Sequence, residues 1–441
     1  MKKILVLGAG RVARPCVQYL IDCPGIDVAV ADISGENVKN AIAGRSGCRA
    51  IVTDIGQNLA SVMDSEKPDV VICLLPPDMM TPVALECLKT CSSLVHPAYL
   101  DESQKKLSGE FRNAGLIFIA ELGLDPGIDH MSAAGTIRSI REQGGEIESF
   151  RSICGALPSA EANTNPWGYK LSWAPASLVG ASRRDARVML GGQTHEWPTG
   201  ETFEHPYLEE IEGLGWFEVY ANADSLPYVE TYGIPETRSI YRGTIRYPGW
   251  CETICRMNEI GLFSENSLEL EGHTFRSFMA TMAGRPGEEN VEKLVASRLG
   301  LKSGSTVMLR FQWLGLFDDE PVPFGKGSAR DVVSFLFGKK LVYTPEERDL
   351  VILRDEYMAS FPETGLRRRF VSTLVDYGVQ GGDFSVARTT GLPPAIAARF
   401  VAEGVISTPG LHIPVTPEIY EPVLRELETL GIRLEETEET I

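Results

Sequence analysis

The apolar run Ile4-Leu5-Val6-Leu7 breaks into Gly8-Ala9-Gly10-Arg11-Val12-Ala13 and then into a helix-forming stretch from Ala13 to about Ile21. A second apolar strand, Val28-Ala29-Val30-Ala31, comes next and ends on the acid Asp32. Strand, G-x-G-x-x-A turn, helix, strand and acid in this order open a dinucleotide-binding βαβ unit. Gly8 permits the tight turn, and Gly10 lets a pyrophosphate approach the backbone. Arg11 and Val12 complete the turn, and Ala13 keeps the helix close to the sheet. The helix start presents free N–H groups and a positive dipole end to that anion. Asp32 is placed to accept hydrogen bonds from the adenine-ribose diol, which favours NAD. Alanine at the third turn position keeps NADP open, although no arginine closely follows Asp32. Glycine turns also occur for backbone reasons alone, so the weight rests on the whole series.

The same alternation continues through the first 126 residues. Strands are expected at Ala50–Val52 (running on to Asp54), Asp69–Leu75, Ser93–Val95 and Leu116–Ile119. Helices are expected near Leu59–Asp64, Met80–Cys91 and Asp101–Asn113. Six strands with right-handed crossovers make a Rossmann-type α/β fold, a doubly wound parallel sheet. Ligands bind off the carboxyl ends of such strands, so Asp54, Pro76, the stretch His96 to Tyr99 and the stretch Gly123 to Pro126 are expected at the cofactor edge.

Beyond residue 127 the pattern turns to α+β. Strands are expected at Glu146–Leu157, Ser239–Arg246 and Ser305–Trp313, and helices at Leu178–Leu190 and Asn290–Leu299. Residues 366–404 read as helical, with Pro393-Pro394 at a helix start. The acidic tail Glu435, Glu436, Glu438 and Glu439 reads as solvated and frayed.

Charge and cysteine usage bound the function. A chain of 441 residues calls for two or three domains, and its net charge of −18 argues against nucleic acid and against an anionic membrane surface. Its one dense basic run, Arg367-Arg368-Arg369, reads as a solvated helix face. No apolar stretch approaches a membrane span, and the N-terminal apolar run is too short for a secretory signal. Nine cysteines without zinc-site spacing read as reduced thiols in a cytoplasmic protein. The pairs Cys87/Cys91 and Cys251/Cys255 read as small buried residues, and no metal is expected.

Several segments combine reactive side chains with special backbone. Asp125, inside Gly123-Leu124-Asp125-Pro126-Gly127, is either a turn residue capping the next helix or a substrate contact at the cofactor face. Asp129 is the better N-cap candidate, and His130 reads as a packed histidine. Tyr99 and Cys154 each have an ordinary packing role open to them. The stretch Asn165–Trp173 suits a binding loop, with Lys170 as an anion partner. In Tyr241–Trp250, Arg242 and Arg246 fall on one strand face, which suits either a carboxylate grip or solvation.

In order, G-A-G-R-V-A, G-L-D-P-G-I-D-H-M, C-G-A-L-P, N-P-W-G-Y-K-L-S-W and Y-R-G-T-I-R-Y-P-G-W resemble the saccharopine reductase family, the glutamate-forming saccharopine dehydrogenases. The resemblance implies a nucleotide domain at 1–126 and an α+β substrate and dimerisation domain at 127–385. It also implies a small helical insertion at about 165–235 and a segment, 386–441, that returns to the nucleotide domain. It implies an amino-acid substrate, a homodimer, and NAD(P)-dependent oxidation of the secondary amine of saccharopine in lysine metabolism. Glutamate and 2-aminoadipate 6-semialdehyde would form through an imine. By the same resemblance Tyr99, Asp125 and Cys154 surround the reacting carbon, with Asp125 first for proton transfer. Lys170, Ser172, Thr244 and Arg246 fall on or beside substrate-holding motifs. One departure stands out: Ala223 occupies the place of an arginine that grips a substrate carboxylate, and Arg242 and Arg183 are the candidate substitutes. Ala223 keeps open a related reductive-amination enzyme, such as a carboxynorspermidine dehydrogenase. From a different class, a non-catalytic dinucleotide-binding protein is the remaining alternative.

Overall fold

A computed structural model describes residues 1–173 and 175–441. The chain forms two units, one of residues 1–147 with 353–441 and one of residues 148–352. The divide between these units falls at 147/148 and 352/353, and the boundaries that the resemblance implies are 126/127 and 385/386.

The first unit opens with β1 (Lys2–Leu7), α1 (Ala13–Asp22), β2 (Ile26–Asp32), α2 (Gly35–Ile42), β3 (Cys48–Val52), α3 (Ile55–Glu66) and β4 (Val70–Cys73). It continues through α4 (Met80–Thr90), β5 (Ser93–Val95), the short α5 (Glu102–Lys105) and α6 (Ser108–Asn113), β6 (Ile117–Ile119) and α7 (Ile128–Glu142). Ile4–Leu7 and Val70–Cys73 are buried throughout, as strands covered on both faces must be. The strand β1 pairs in parallel with β2 on one side and β4 on the other, so the chain order reverses beside β1. That reversal opens the crevice in which doubly wound sheets bind ligands.

The second unit holds β7 (Glu146–Pro158), α8 (Pro175–Ala181), β8 (Ala186–Leu190), β9 (Gln193–Trp197), β10 (Tyr207–Ile211), β11 (Gly215–Ala221), α9 (Tyr228–Thr231) and β12 (Ser239–Arg246). Next come α10 (Trp250–Glu259), β13 (Ser267–Glu269), α11 (Phe275–Met282), α12 (Val291–Arg298), α13 (Thr306–Leu314), β14 (Lys326–Ser328) and α14 (Ala329–Lys340). Its mixed sheet runs β10, β11, β12, β7, with β8 and β9 attached to β12. The segment expected to be a helical insertion carries four of these strands and two short helices; the longer helices lie in 250–340. The expected helix 178–190 ends at Ala181, and β8 starts at Ala186.

The strand β15 (Asp349–Phe361) leads back into the first unit, followed by β16 (Leu366–Tyr377), α15 (Ser385–Glu403), β17 (Gly410–His412), α16 (Pro417–Thr429) and β18 (Leu434–Thr440). In this way β17 adds a seventh strand beside β6, giving the parallel order β17, β6, β5, β4, β1, β2, β3. The helix α15 packs on α1 at a glycine: a Cβ at Gly391 would overlap the Val12 carbonyl oxygen.

Four expectations fail here. Residues 305–313 form the helix α13, not a strand, because an apolar run of that length fits either period. Its caps decide: Ser305 Oγ accepts the Met308 N–H, and Gly315 ends the helix at φ +96°. Residues 366–377 form β16 rather than a helix, and its partner is the acidic tail, which is the strand β18 and not frayed. The arginine run and the acidic run neutralise each other across that pair, Arg368 to Glu438 at 2.9 Å and Arg369 to Glu439 at 2.8 Å. Pro393-Pro394 lie inside α15, whose start is tied back by Ser385 and Arg388, both bonded to Asp376.

Candidate active site

The cofactor edge is built by the turn after β1. Gly8 stands at φ +97°, with the Leu74 backbone 2.9 Å from where a Cβ would sit, so packing alone requires glycine there. Gly10 differs: a Cβ would meet nothing within 4 Å, and the empty cradle is room for a ligand. Behind it α1 begins at Ala13 with no side-chain cap and no acid in its first turn, leaving its positive end open to an anion. These residues fit the pyrophosphate of a dinucleotide. Asp32 Oδ2 accepts the Ala9 N–H at 2.7 Å and Oδ1 accepts the Ser34 N–H at 2.8 Å, so the carboxylate also braces the turn. Flanking it, Ile33 (70% exposed) and Val52 (60% exposed) offer bare aliphatic surface at the strand ends. Asp54 caps α3 through the Gly56 N–H at 2.9 Å, and Pro76 leads into a single 3-10 turn, Pro77–Met79.

On the neighbouring loops the Tyr99 hydroxyl donates to Asp125 Oδ1 at 2.8 Å. The Asp125 loop folds tightly on itself: Gly123 N–H bonds to Pro126 O at 2.7 Å and Ile128 N–H to Gly123 O at 2.9 Å. A Cβ on Gly127 would overlap Gly123, so this loop needs its glycine. Gly127, not Asp129, is the cap position of α7. Asp129 sits two residues later, fully buried, with Oδ1 accepting the N–H groups of Gly127 at 2.6 Å and His130 at 2.8 Å. Its reach back to the cap is why the sequence pattern imitated an N-cap. His130 is buried as expected, but its Nε2 also lies 2.9 Å from Glu121 Oε2. His96 is packed edge-on to Phe118, and burial lowers its pKa to about 4.

The second unit gathers a different set. Register places Cys154 of β7 beside Thr244 of β12, and Arg246 lies two residues further along the same face. Gly155 allows this approach, since a Cβ would come within 2.7 Å of the Ile245 carbonyl oxygen. Arg246 is 5% exposed, donates from Nη1 to the Ile245 carbonyl at 2.8 Å and lies over the rings of Tyr169 and Trp250. Its Nε is buried without a hydrogen-bond partner, and no carboxylate among the described residues pairs with it. The Ser172 hydroxyl is likewise buried without a partner.

Lys170 is placed otherwise than a free anion partner would be. Its Nζ forms an ion pair with Glu347 and donates to Thr164 Oγ1 at 2.9 Å. The expected binding loop is core at its centre, where Trp167 and Tyr169 are fully buried. Of the two candidate substitutes for the arginine missing at Ala223, Arg242 is stacked 4.3 Å over the Tyr228 ring, and Arg183 makes a 3.4 Å bond to the Phe263 carbonyl. The sequence pattern missed Arg310, which ties together the carbonyls of Pro166 (2.7 Å), Pro248 (3.2 Å) and Gly249. Taken as part of a strand, it gave no signal of that role.

Two family models match in tandem: the saccharopine dehydrogenase NADP binding domain over residues 4–119 and the saccharopine dehydrogenase C-terminal domain over residues 123–432. The chain belongs to the saccharopine dehydrogenase family. It is 33% identical over 447 residues to the saccharopine dehydrogenase [NADP(+), L-glutamate-forming] of Saccharomyces cerevisiae, covering 99% of each. The solved apo structure of the histidine-tagged Saccharomyces cerevisiae saccharopine dehydrogenase (L-Glu forming) matches with TM-score 0.91 and 32% identity, covering 100% of both chains. The mitochondrial alpha-aminoadipic semialdehyde synthase of Bos taurus is 32% identical over 98% of this chain, which spans only 47% of that relative's length. Family membership thus includes a match to an NADP binding domain over residues 4–119. No helix among the described residues is long and apolar enough to cross a membrane.

Proposed function

We propose that this saccharopine dehydrogenase homologue oxidises the secondary amine of saccharopine reversibly, giving glutamate and 2-aminoadipate 6-semialdehyde in lysine metabolism. The observation that carries the reading is Arg246, a buried guanidinium with no carboxylate of its own among the described residues. A cation held out of water calls for an anion, and a planar fork favours a carboxylate. Saccharopine brings three carboxylates. When bound, the dinucleotide supplies hydride acceptance from the carbon beside the nitrogen.

The chain's residues supply positioning and proton handling. Asp125 takes the proton released as the amine becomes an imine, and Tyr99 fixes the orientation of its carboxylate. Asp125 passes that proton to solvent, and its carboxylate then deprotonates the water that adds to the imine carbon. Asp125 returns this proton to nitrogen and takes up the proton of the new hydroxyl as the carbon–nitrogen bond breaks, so glutamate leaves as the amine and the semialdehyde as the carbonyl. Cys154 and Thr244 line the face that bears Arg246 and serve as polar contacts, and Ser172 offers a spare hydroxyl.

Within this reaction NAD is the proposed preferred dinucleotide. By the dinucleotide-binding pattern Asp32 falls beside the adenine-ribose diol, where its charge disfavours a 2′-phosphate, and the residues after it, Ile33 to Val38, include no lysine or arginine. The fungal relative is named for NADP(+). Steady-state assays with saccharopine and each cofactor decide both points. Turnover with a kcat/KM at least about tenfold higher for NAD supports the reading. Absence of turnover sinks the substrate, and a preference for NADP sinks only the cofactor assignment.

A further inference from the structure

Glu121 leaves β6 at φ +55°, a left-handed backbone that glycine adopts freely and glutamate resists. Its side chain is fully used. Oε1 accepts the Leu100 N–H at 2.9 Å, and Oε2 stands 2.9 Å from His130 Nε2. Its own N–H donates to the Ala98 carbonyl at 3.1 Å. Glu121 therefore grips the chain on both sides of Tyr99, at Ala98 and at Leu100. It also stands four residues before Asp125 and ties that loop to the first turn of α7 through a histidine with no exposed surface. The Tyr99–Asp125 bond joins the same two loops further out. A strained acid whose bonds bracket both partners of a proton-handling pair is placed to set their separation.

We infer that Glu121, together with His130, is a positioning residue for the Tyr99–Asp125 pair. The inference rests on the proposed amine oxidation, and it adds a residue that touches neither substrate nor cofactor. Removing the carboxylate loosens the loop that carries Tyr99 and shifts the pair, while the strand ends that hold the dinucleotide stay put. Displacements of about 1 Å in such arrangements cost on the order of 100-fold in rate.

The test uses Glu121→Gly, Glu121→Gln and His130→Gln in the full chain. Glycine relieves the left-handed strain and deletes both side-chain bonds; glutamine keeps an acceptor for Leu100 and a partner for His130. Glu121→Gly is expected to melt at or above the wild-type temperature and to bind NADH, followed by its fluorescence, with an unchanged Kd. Its KM for saccharopine should stay within about twofold while kcat falls about 10- to 100-fold. Glu121→Gln should restore most of that kcat, and His130→Gln should lose less than Glu121→Gly. A wild-type kcat in Glu121→Gly overturns the inference, and so does a kcat loss matched by lost melting temperature and lost NADH binding. If Glu121→Gly does not fold, a wild-type kcat in His130→Gln with NADH affinity intact overturns it equally. A wild-type enzyme inactive on saccharopine sinks the proposed reaction instead, which keeps the two failures apart.

Discussion

Arg246 carries its guanidinium carbon 4.9 Å from the centre of the Tyr169 ring, and that aromatic face, with Trp250 at 5.5 Å, takes the place of an acidic partner. A cation–π contact stabilises such a charge by about 0.5–2 kcal/mol, far less than desolvating it costs. The remainder is available to a substrate carboxylate. Arg246→Met removes the buried charge and keeps much of the volume, so the folded state should hold or gain stability in urea unfolding. The KM for saccharopine should rise about 30- to 100-fold, matching a lost charge-assisted hydrogen bond of about 2–3 kcal/mol. An unchanged KM in Arg246→Met would remove Arg246 from substrate binding.

Tyr99 and Asp125 form one unit in the proposed chemistry, and the unit should show in kinetics. Asp125→Asn cannot accept the amine proton and is expected to lower kcat by about 100- to 10,000-fold. Tyr99→Phe leaves the carboxylate but frees its orientation, so a loss of about tenfold is expected. The double variant should be no slower than Asp125→Asn alone, because the tyrosine acts through the carboxylate. Additive losses would show that Tyr99 has a separate role.

How far these residues were legible in the sequence depends on how locally each is determined. The strands β1, β2, β4, β5 and β6 announce themselves because a largely buried strand reads as one apolar run, and the glycine turn marks the start of the helix behind β1. Tyr99 and Asp125 are reached through topology, since both lie at the carboxyl ends of those strands. By contrast, β16 and β18 were hidden because Arg367–Arg369 and Glu435–Glu439 are each plausible as solvated runs. Only their pairing, 70 residues apart, gives them a structural role. Lys170 looked available for the same reason, its partner Glu347 lying 177 residues away. Glu121 and Arg310 act through backbone geometry, a left-handed φ in one case and a cluster of carbonyls in the other. No residue pattern encodes either.

His96 gives the first unit a specific acid sensitivity. Burial lowers its pKa from 6.5 to about 4, with the Glu121 carboxylate acting in the opposite direction. The folded chain thus keeps this ring neutral, while the unfolded chain binds a proton below about pH 6.5. The contribution is fully present above that pH and is lost as pH falls toward 4, by up to about 3 kcal/mol. Urea unfolding of wild type and His96→Leu between pH 4 and 7 checks it. The wild-type free energy should fall more steeply with acidification. Parallel curves would mean that His96 titrates normally.

Gly10 and Gly391 separate what the dinucleotide needs from what the fold needs. A methyl group at Gly10 meets no protein atom within 4 Å, and its φ is not left-handed, so Gly10→Ala should change stability by less than about 1 kcal/mol. The same methyl group occupies the approach of the pyrophosphate, so NADH affinity should fall at least about tenfold. At Gly391 the methyl group overlaps the carbonyl oxygen of Val12, the residue that precedes α1. Overpacking there should cost about 1–3 kcal/mol and force α15 away from α1. Because Val12 belongs to the cofactor turn, Gly391→Ala should weaken NADH binding only in proportion to that distortion. The predicted signature is a crossing: Gly10→Ala loses affinity with stability kept, and Gly391→Ala loses more stability than affinity. Melting curves and NADH titrations of the two variants measure both quantities. If Gly10→Ala binds NADH as wild type does, the turn after β1 is not the pyrophosphate site.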